Sequence, residues 1–348
     1  MKIYKVGIIG YGVVGKRRKE YIDLNPHLDT HYVSDISFDS DGVFKDGVKY
    51  FNDYNKIFEQ DVDVIFVSLP NYLASKVTTL GIQNNCHVFC EKPPAKTVDE
   101  IKAVIKSQKE NPKIKLKYGF NHRYHDSVKM VKKIIDSKKY GDVMSFRGIY
   151  GKSSIISFDK GWRSEKKYAG GGILLDQGIH MLDLVRYFSC DYSEIYSFIS
   201  NNYWNHDIED DAFILMKSNK GHIASLHSTA TQWQHRFRLE IILKEGLLEL
   251  AGILSGSKSY GSETLKIIER KQGKSTGNQE EMRYAFLEDN SWKEEIDEFA
   301  DCIINDKEIA NGTSYDALKV MEMIFNTYKA DEKWWNYFNN INKGNRHE

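Results

Sequence analysis

Only four cysteines occur in the 348 residues, Cys86, Cys90, Cys190 and Cys302, and none belongs to a Cys-x-x-Cys pair. Without a framework of short spacings, a secreted disulfide scaffold and a zinc finger are both excluded. The eleven histidines show no ligand spacing either, so no metal site is expected. Cys86 and Cys90 flank the apolar stretch His87-Val88-Phe89 and read as small core residues. A charge surplus is also missing, with 49 Lys+Arg balanced by 49 Asp+Glu. A partner built on a phosphate backbone calls for a basic excess, so no nucleic-acid partner is expected. No apolar run approaches the roughly 20 residues that a membrane helix needs. Met1 leads almost directly into a buried-strand pattern over residues 2–9, so no signal peptide is expected and the cytoplasm is the expected location. What is present is 41% hydrophobic and 13% aromatic content, enough for two domains at roughly 150 residues each.

The first third alternates short β-branched runs with helical spacing. Residues 3–9, 30–36, 62–67, 86–89 and 114–118 read as strands, and 13–24, 72–84 and 98–109 as helices. Fully apolar strands alternating with helices imply a parallel sheet covered on both faces. Beyond residue 121 the pattern changes. A helix (127–137), a strand (143–150), a glycine-rich break and a second helix (174–188) precede strand candidates at 194–200, 212–216, 223–229, 237–243 and 264–270. Gly221, Gly246 and Gly252 punctuate them, which reads as a mostly antiparallel sheet. The boundary is placed so that 1–122 and 123–312 form two domains, with helices in 313–345 packing back on the first. Segments 255–261 and 272–279 are rich in Ser, Gly and Lys and read as exposed loops. Trp334, Trp335, Tyr337 and Phe338 crowd the tail, either as core or oligomer packing against the first domain or as a membrane or partner contact.

Gly10-Tyr11-Gly12-Val13-Val14-Gly15 follows a strand and opens a helix. In such a Gly-x-Gly-x-x-Gly turn the first glycine makes the bend, the second admits a pyrophosphate, and the third lets helix and strand pack closely. The helix start adds unpaired N–H groups and the positive end of its dipole. Asp35 ends the second strand, twenty residues past Gly15, where a carboxylate accepts from both ribose hydroxyls and repels a 2′-phosphate. Lys16, Arg17 and Arg18 lie nearby and read as solvent-facing helix charges. The reading is a Rossmann dinucleotide site that takes NAD in preference to NADP.

Two segments carry candidate chemistry. Lys92, in Glu91-Lys92-Pro93-Pro94, follows a buried strand and so sits at the carboxyl edge of the sheet, where an ammonium can polarise a reacting oxygen. Asp176 and His180 stand four apart in a helical stretch, hence on one face. They read either as a proton-transfer pair or as a helix surface contact.

The glycine motif, Asp35, Pro70-Asn71, Glu91-Lys92-Pro93, Trp162-Arg163 and the run Gly170-Gly171-Gly172…Asp176…His180…Asp183 together resemble the Gfo/Idh/MocA family of oxidoreductases. That resemblance implies a nucleotide-binding domain followed by an α/β domain built on a large open sheet. It also implies a nicotinamide cofactor, a carbohydrate or cyclitol substrate, and homodimers or homotetramers formed through the sheet. Lys92, Asp176 and His180 match the family's catalytic positions. Asn71, Glu91, Asn121, Trp162 and Arg163 match positions around the cofactor, and Ser68 and Leu69 join that set. Many members carry a histidine shortly after the Pro-Asn pair, whereas this chain continues Tyr72-Leu73-Ala74.

Arg123, Arg163 and the cations of 159–167 point to a nucleotide-linked or otherwise anionic sugar, since arginine forks suit phosphate and carboxylate oxygens. The alternative is that these cations touch only cofactor or solvent. Within the resemblance, a lyase or glycosidase step through a transient keto-sugar with recycled NAD competes with net dehydrogenation. A non-catalytic dinucleotide-binding protein is the remaining reading.

Overall fold

The computed structural model describes residues 2–154, 161–255, 259–271 and 279–340. The chain separates into two compact units, Met1–Asn121 with Trp292–Leu318, and His122–Ser291 with Lys319–Glu348.

In the first unit the order is β1 (Tyr4–Ile9), α1 (Val13–Ile22), β2 (Leu28–Ser34), β3 (Gly42–Val43), β4 (Lys49–Phe51), α2 (Asn55–Phe58), β5 (Val64–Val67), α3 (Asn71–Gln83), β6 (His87–Glu91), α4 (Val98–Glu110) and β7 (Leu116–Gly119). They form one sheet ordered β3-β4-β2-β1-β5-β6-β7, parallel except for the short β3–β4 pair. Val64, Ile65, Phe66 and Val67 are all fully buried, the mark of a strand covered on both faces. Parallel pairing brings the carboxyl ends of β1, β5, β6 and β7 to one edge. β1 lies between β2 and β5, where the winding reverses and open α/β sheets form their ligand crevice. Helix α4 shows how locally these starts are written: the Thr97 hydroxyl accepts from the Glu100 N–H at 3.3 Å.

The core of this unit is completed from far along the chain. Ile296, Phe299, Ala300 and Ile303 pack with Val6, Ile8, Phe66 and Phe89. The Phe299 ring meets Phe66 and Phe89 edge-on at 6.0 and 5.6 Å. The segment that returns to the first unit is therefore 292–318, rather than the expected 313–345. A second correction concerns α1, whose cations read as solvent-facing. Arg18 is fully buried, with Nε donating to Glu91 at 2.6 Å and Nη2 to Glu295 at 2.8 Å.

The second unit contains α5 (Asp126–Asp136), β8 (Val143–Gly151), α6 (Lys166–Ala169), α7 (Ile179–Phe188), β9 (Tyr192–Ser200), β10 (Asp211–Ser218), β11 (Ile223–Thr229), β12 (Arg236–Leu243), β13 (Gly246–Ala251), β14 (Glu263–Glu269) and β15 (Glu281–Phe286). Its eight-stranded sheet runs β15-β14-β13-β12-β8-β11-β10-β9, antiparallel except for β8–β11. β13 and β15 add to the strands expected. On β10, Ala212, Ile214 and Met216 are buried while Phe213 and Leu215 between them are exposed, so one face is core and the other bare. Helix α7 covers the core face, with Met181 packed against Gly148 so closely that a Cβ there would lie 2.9 Å from its sulfur.

Helices α8 (Ser291–Ile304), α9 (Ser314–Ala330) and α10 (Glu332–Asn340) close the chain. The aromatic tail groups with the second unit, not the first. Trp334 and Phe338 are buried, Phe338 lies 5.1 Å from the Tyr328 ring, and Asp331 accepts from the Ile199 N–H at 2.9 Å. Asp159, Lys160 and parts of the loop and tail readings (256–258, 272–278 and 341–345) lie outside the described residues. Among the described residues no helix is long and apolar enough to cross a membrane.

Candidate active site

In the first unit the glycine turn is held by close backbone approach. Gly10 has φ +93°, and a Cβ there would stand 2.3 Å from the Ser68 carbonyl oxygen. At Gly15 a Cβ would stand 2.0 Å from the Gly10 oxygen, so helix and strand pack with no room for a side chain. Gly12 is different: a Cβ there meets nothing within 4 Å. Two glycines are thus demanded by packing, and the middle one faces open space at the helix N-terminus, where a pyrophosphate needs bare backbone.

Asp35 is tied into the same turn. Its carboxylate accepts from the Tyr11 N–H at 2.8 Å and the Ser37 N–H at 2.9 Å. The Ser68 hydroxyl is buried with no hydrogen-bond partner among the described residues, and Leu69 lies beside Gly10. Gly10 to Gly15, Asp35, Ser68 and Leu69 thus come together, and the donor set fits a dinucleotide. Asn71 opens α3 and is buried. Glu91 ends β6 with its carboxylate held by Arg18, which fixes the strand end that Lys92 follows. Glu91 pairs in register with Gly119, so Lys92 and Asn121 leave neighbouring strands at the same edge.

In the second unit Asp176 and His180 do not share a regular α-helix. Residues Leu174–Gly178 form a π turn, and α7 begins only at Ile179. Single π turns inside helices are frequent at functional sites. The cause is visible at its start. The buried Glu209 carboxylate accepts from the Gly172 N–H at 2.7 Å, the Leu174 N–H at 3.0 Å and the Tyr328 hydroxyl at 2.8 Å. A Cβ on Gly172 would lie 2.0 Å from the Glu209 carbonyl oxygen, so the triple glycine admits this strap. Burial pushes the Glu209 carboxyl up to about 7, against the pull of the three donors.

His180 is buried and stacked face to face on His122, with ring centroids 3.7 Å apart. The Tyr150 hydroxyl lies 3.3 Å from His122 Nε2, and the Tyr150 ring is parallel to His180 at 6.2 Å. Burial, with the charge of Asp176 nearby, pushes the Tyr150 phenol well above its ordinary range, so it stays a neutral donor. Asp176 accepts from Gln177 Nε2 at 2.9 Å, and Arg163 Nε approaches it at 3.8 Å, a Coulombic contact too long for a hydrogen bond. The Arg163 guanidinium lies over the Trp162 ring.

Arg123 stands apart from this group. Its fork is filled by Asp183, at 2.8 and 2.6 Å, and both side chains are buried. Of the neighbouring cations, Lys167 pairs with Glu165 at 2.9 Å and Lys166 lies against Phe338. His122, Tyr150, Glu209 and Tyr328 carried no assignment in the sequence. His122 adjoins residues that did, and nothing local in the sequence singles out Glu209, whose burial and partners appear only in the fold. Among the described residues no cluster of three or more His, Cys, Asp or Glu is arranged to hold a metal.

The profile of the oxidoreductase family with NAD-binding Rossmann fold matches residues 4–120, and that of the GFO/IDH/MocA C-terminal domain matches 128–249. Levoglucosan dehydrogenase of Pseudarthrobacter phenanthrenivorans is 27% identical over 223 residues, covering 58% of this chain and 55% of that protein. Glucose-6-phosphate 3-dehydrogenase of Bacillus subtilis is 28% identical over 189 residues, 53% of each chain. The chain spans about half the length of the curated relatives it matches. A solved levoglucosan dehydrogenase in complex with NADH superposes with a TM-score of 0.83 at 19% identity, over 96% of this chain and 98% of that one, a likeness of fold. With residues 4–120 and 128–249 matched, well over half of the sequence, this chain belongs to the Gfo/Idh/MocA family of oxidoreductases.

Proposed function

We propose that the chain is an NAD-dependent dehydrogenase acting on a ring carbinol of an uncharged sugar or cyclitol. The observation that supports this reading is the π turn that contains Asp176 and is strapped by Glu209, followed at once by buried His180 stacked on His122. A bound nicotinamide would supply the hydride acceptor or donor. Gly10, Tyr11, Gly12, Val13, Val14 and Gly15 would hold its phosphates. Asp35 would meet the adenosine ribose, favouring NAD over NADP, and Ser68, Leu69, Asn71, Glu91 and Asn121 of the first unit, with Trp162 and Arg163 of the second, are the further residues assigned to it. His180 takes the hydroxyl proton and gives it back in the reverse direction, Asp176 orients the substrate hydroxyl, and Lys92 polarises the reacting oxygen.

Of the curated relatives named above, one acts, by name, on levoglucosan, an uncharged sugar, and the other on glucose 6-phosphate, an anionic one. A nucleotide-linked or anionic sugar draws less support here, because Arg123, Lys166 and Lys167 are engaged within the protein. Mixing protein and excess NAD with levoglucosan, glucose 6-phosphate, inositols and UDP-, GDP- and dTDP-sugars tests both points. Reduced nicotinamide should accumulate with one uncharged class, and Lys92→Ala should cut that rate by about 10²-fold or more. A changed sugar without reduced nicotinamide would favour the recycled-cofactor lyase, and near-normal turnover by the lysine variant would remove Lys92 from the chemistry.

The bare face of the eight-stranded sheet supports self-association. Phe198, Tyr196, Phe213 and Leu215 are between half and four-fifths exposed on adjacent strands, a patch that a second copy would cover. Sedimentation should find a dimer or tetramer that Phe198→Asp with Phe213→Asp dissociates. An unchanged sedimentation coefficient would reject this face.

A further inference from the structure

The stack of His122 on His180 places two imidazoles where only one can be charged. Their ring planes are 13° apart and the centroids 3.7 Å, so the rings lie face to face. Like charges in contact each oppose the other's proton. If His180 is to take a proton from substrate, His122 must be kept from holding one.

The groups around His122 supply the means. From β8, the Tyr150 hydroxyl lies 3.3 Å from its Nε2. Burial pushes the phenols of Tyr150 and Tyr260 well above their ordinary range, so both keep their protons, and the charge of Asp176 acts on both in the same direction. Tyr260, whose ring meets Tyr150 edge-on at 5.4 Å, acts on it as a hydrogen-bond donor: the contact eases loss of the Tyr150 proton and opposes loss of its own. With its oxygen approached by that proton, Tyr150 can turn its own toward His122. Before α5, His125 meets His122 edge-on at 5.5 Å, and its Nδ1 is committed to the Glu263 carboxylate of β14 at 2.8 Å. Phe237 of β12 lies edge-on at 6.1 Å and carries no charge. Next in the chain, the Arg123 guanidinium is answered by Asp183.

We propose that His122 is a positioning residue for this chemistry: the Tyr150 hydroxyl donates to its Nε2 and holds the ring neutral, so that the proton leaving the substrate hydroxyl goes to His180 alone. The role of His180 rests on the dehydrogenase reading above, whereas the state of His122 does not. An Nε2 that accepts leaves the ring proton on Nδ1, and adding a second proton would mean giving up the phenol's hydrogen bond. The neutral ring then offers its face to the imidazolium that His180 becomes.

The experiment is ¹⁵N NMR of the histidine rings of the whole protein, titrated from about pH 5 to about pH 8, where a histidine ordinarily changes charge. Wild type is compared with Tyr150→Phe and with His122→Phe, which identifies the His122 signals and keeps a flat ring that cannot be charged. In wild type, His122 should be protonated on Nδ1 and should not titrate in this range. Tyr150→Phe should let His122 take up a proton and move the His180 midpoint down by about one pH unit or more. Adding Tyr150→Phe to His122→Phe should leave that midpoint where it was. With the sugar of the panel above that reduces NAD, Tyr150→Phe should lower kcat about 10-fold near about pH 6 with KM nearly unchanged, and His122→Phe added to it should recover most of the loss. A wild-type His122 that is protonated on Nε2, or that titrates in this range, overturns the proposal, and so does a His180 midpoint unmoved by Tyr150→Phe. The tautomer is read on the wild type, so a variant that fails to fold does not shelter the proposal. Rings that behave as expected while no sugar reduces NAD would sink the dehydrogenase reading and leave the assignment of His122 standing.

Discussion

Each unit buries a glutamate in a network that reaches the segment of a residue assigned to chemistry, and the two are held by opposite means. In the first, Glu295 is fully buried and answered by a full positive charge, Arg18, which also holds Glu91 one residue before Lys92. In the second, Glu209 is answered by two backbone N–H groups and a phenol. Burial pushes both carboxyls up to about 7. The opposing pull differs in kind: for Glu295 it comes chiefly from the charges of Arg18 and Lys117, and for Glu209 from hydrogen-bond donors alone. A charge acts through space, and here it ties a strand end and a distant helix to α1. Oriented N–H groups act only at contact, and so dictate the shape of a single turn.

The contrast can be broken most sharply at Arg18. Arg18→Met leaves two carboxylates buried without their cation and should cost about 3–5 kcal/mol in urea unfolding. A loss below about 1 kcal/mol would mean that Lys117 suffices and the first network is redundant.

The next effect is in pH. A carboxyl whose folded pKa is raised keeps its proton between the ordinary carboxylate range and about 7, where the unfolded chain has lost it. Its contribution therefore declines as pH rises through that window and is flat above it. Glu209→Gln imitates the protonated form without titrating. Its stability deficit against wild type should be largest near about pH 5, shrink as pH rises toward about 7 and stay constant above it. A deficit that widens with pH would show that the ionised form is the one the turn requires. The smallest effect is expected for Tyr328→Phe, about 1 kcal/mol, because two N–H donors remain on Glu209.

Local pattern carried the first unit well. β1, the glycine turn and α1 are consecutive, and period and turn chemistry suffice to read them. Arg18 was misread because its partner Glu295 lies 277 residues away, and α1 has no strong apolar stripe to say which of its faces is inside. The π turn escaped for a related reason. Asp176 and His180 have helical spacing, while the strap that reshapes the turn comes from Glu209. β13 reads Gly-Leu-Leu-Glu-Leu-Ala and β15 exposes most of its residues, so neither shows clean alternation. Tyr260 sits in a stretch whose Ser, Gly and Lys content marks a loop. Composition records what a segment is made of, and a single buried phenol in a loop leaves no periodic trace.

The return of α8 into the first core also sets a timetable for synthesis. Val6, Ile8, Phe66 and Phe89 are all made before residue 121, yet Ile296 and Phe299 must leave the ribosome before their core is whole. At about 5–20 residues per second, the nascent first unit waits on the order of ten to forty seconds with an apolar flank uncovered. During that interval the second unit's strands emerge beside it, so a chaperone that shields the flank should raise the yield of this protein more than that of a contiguous domain of equal size.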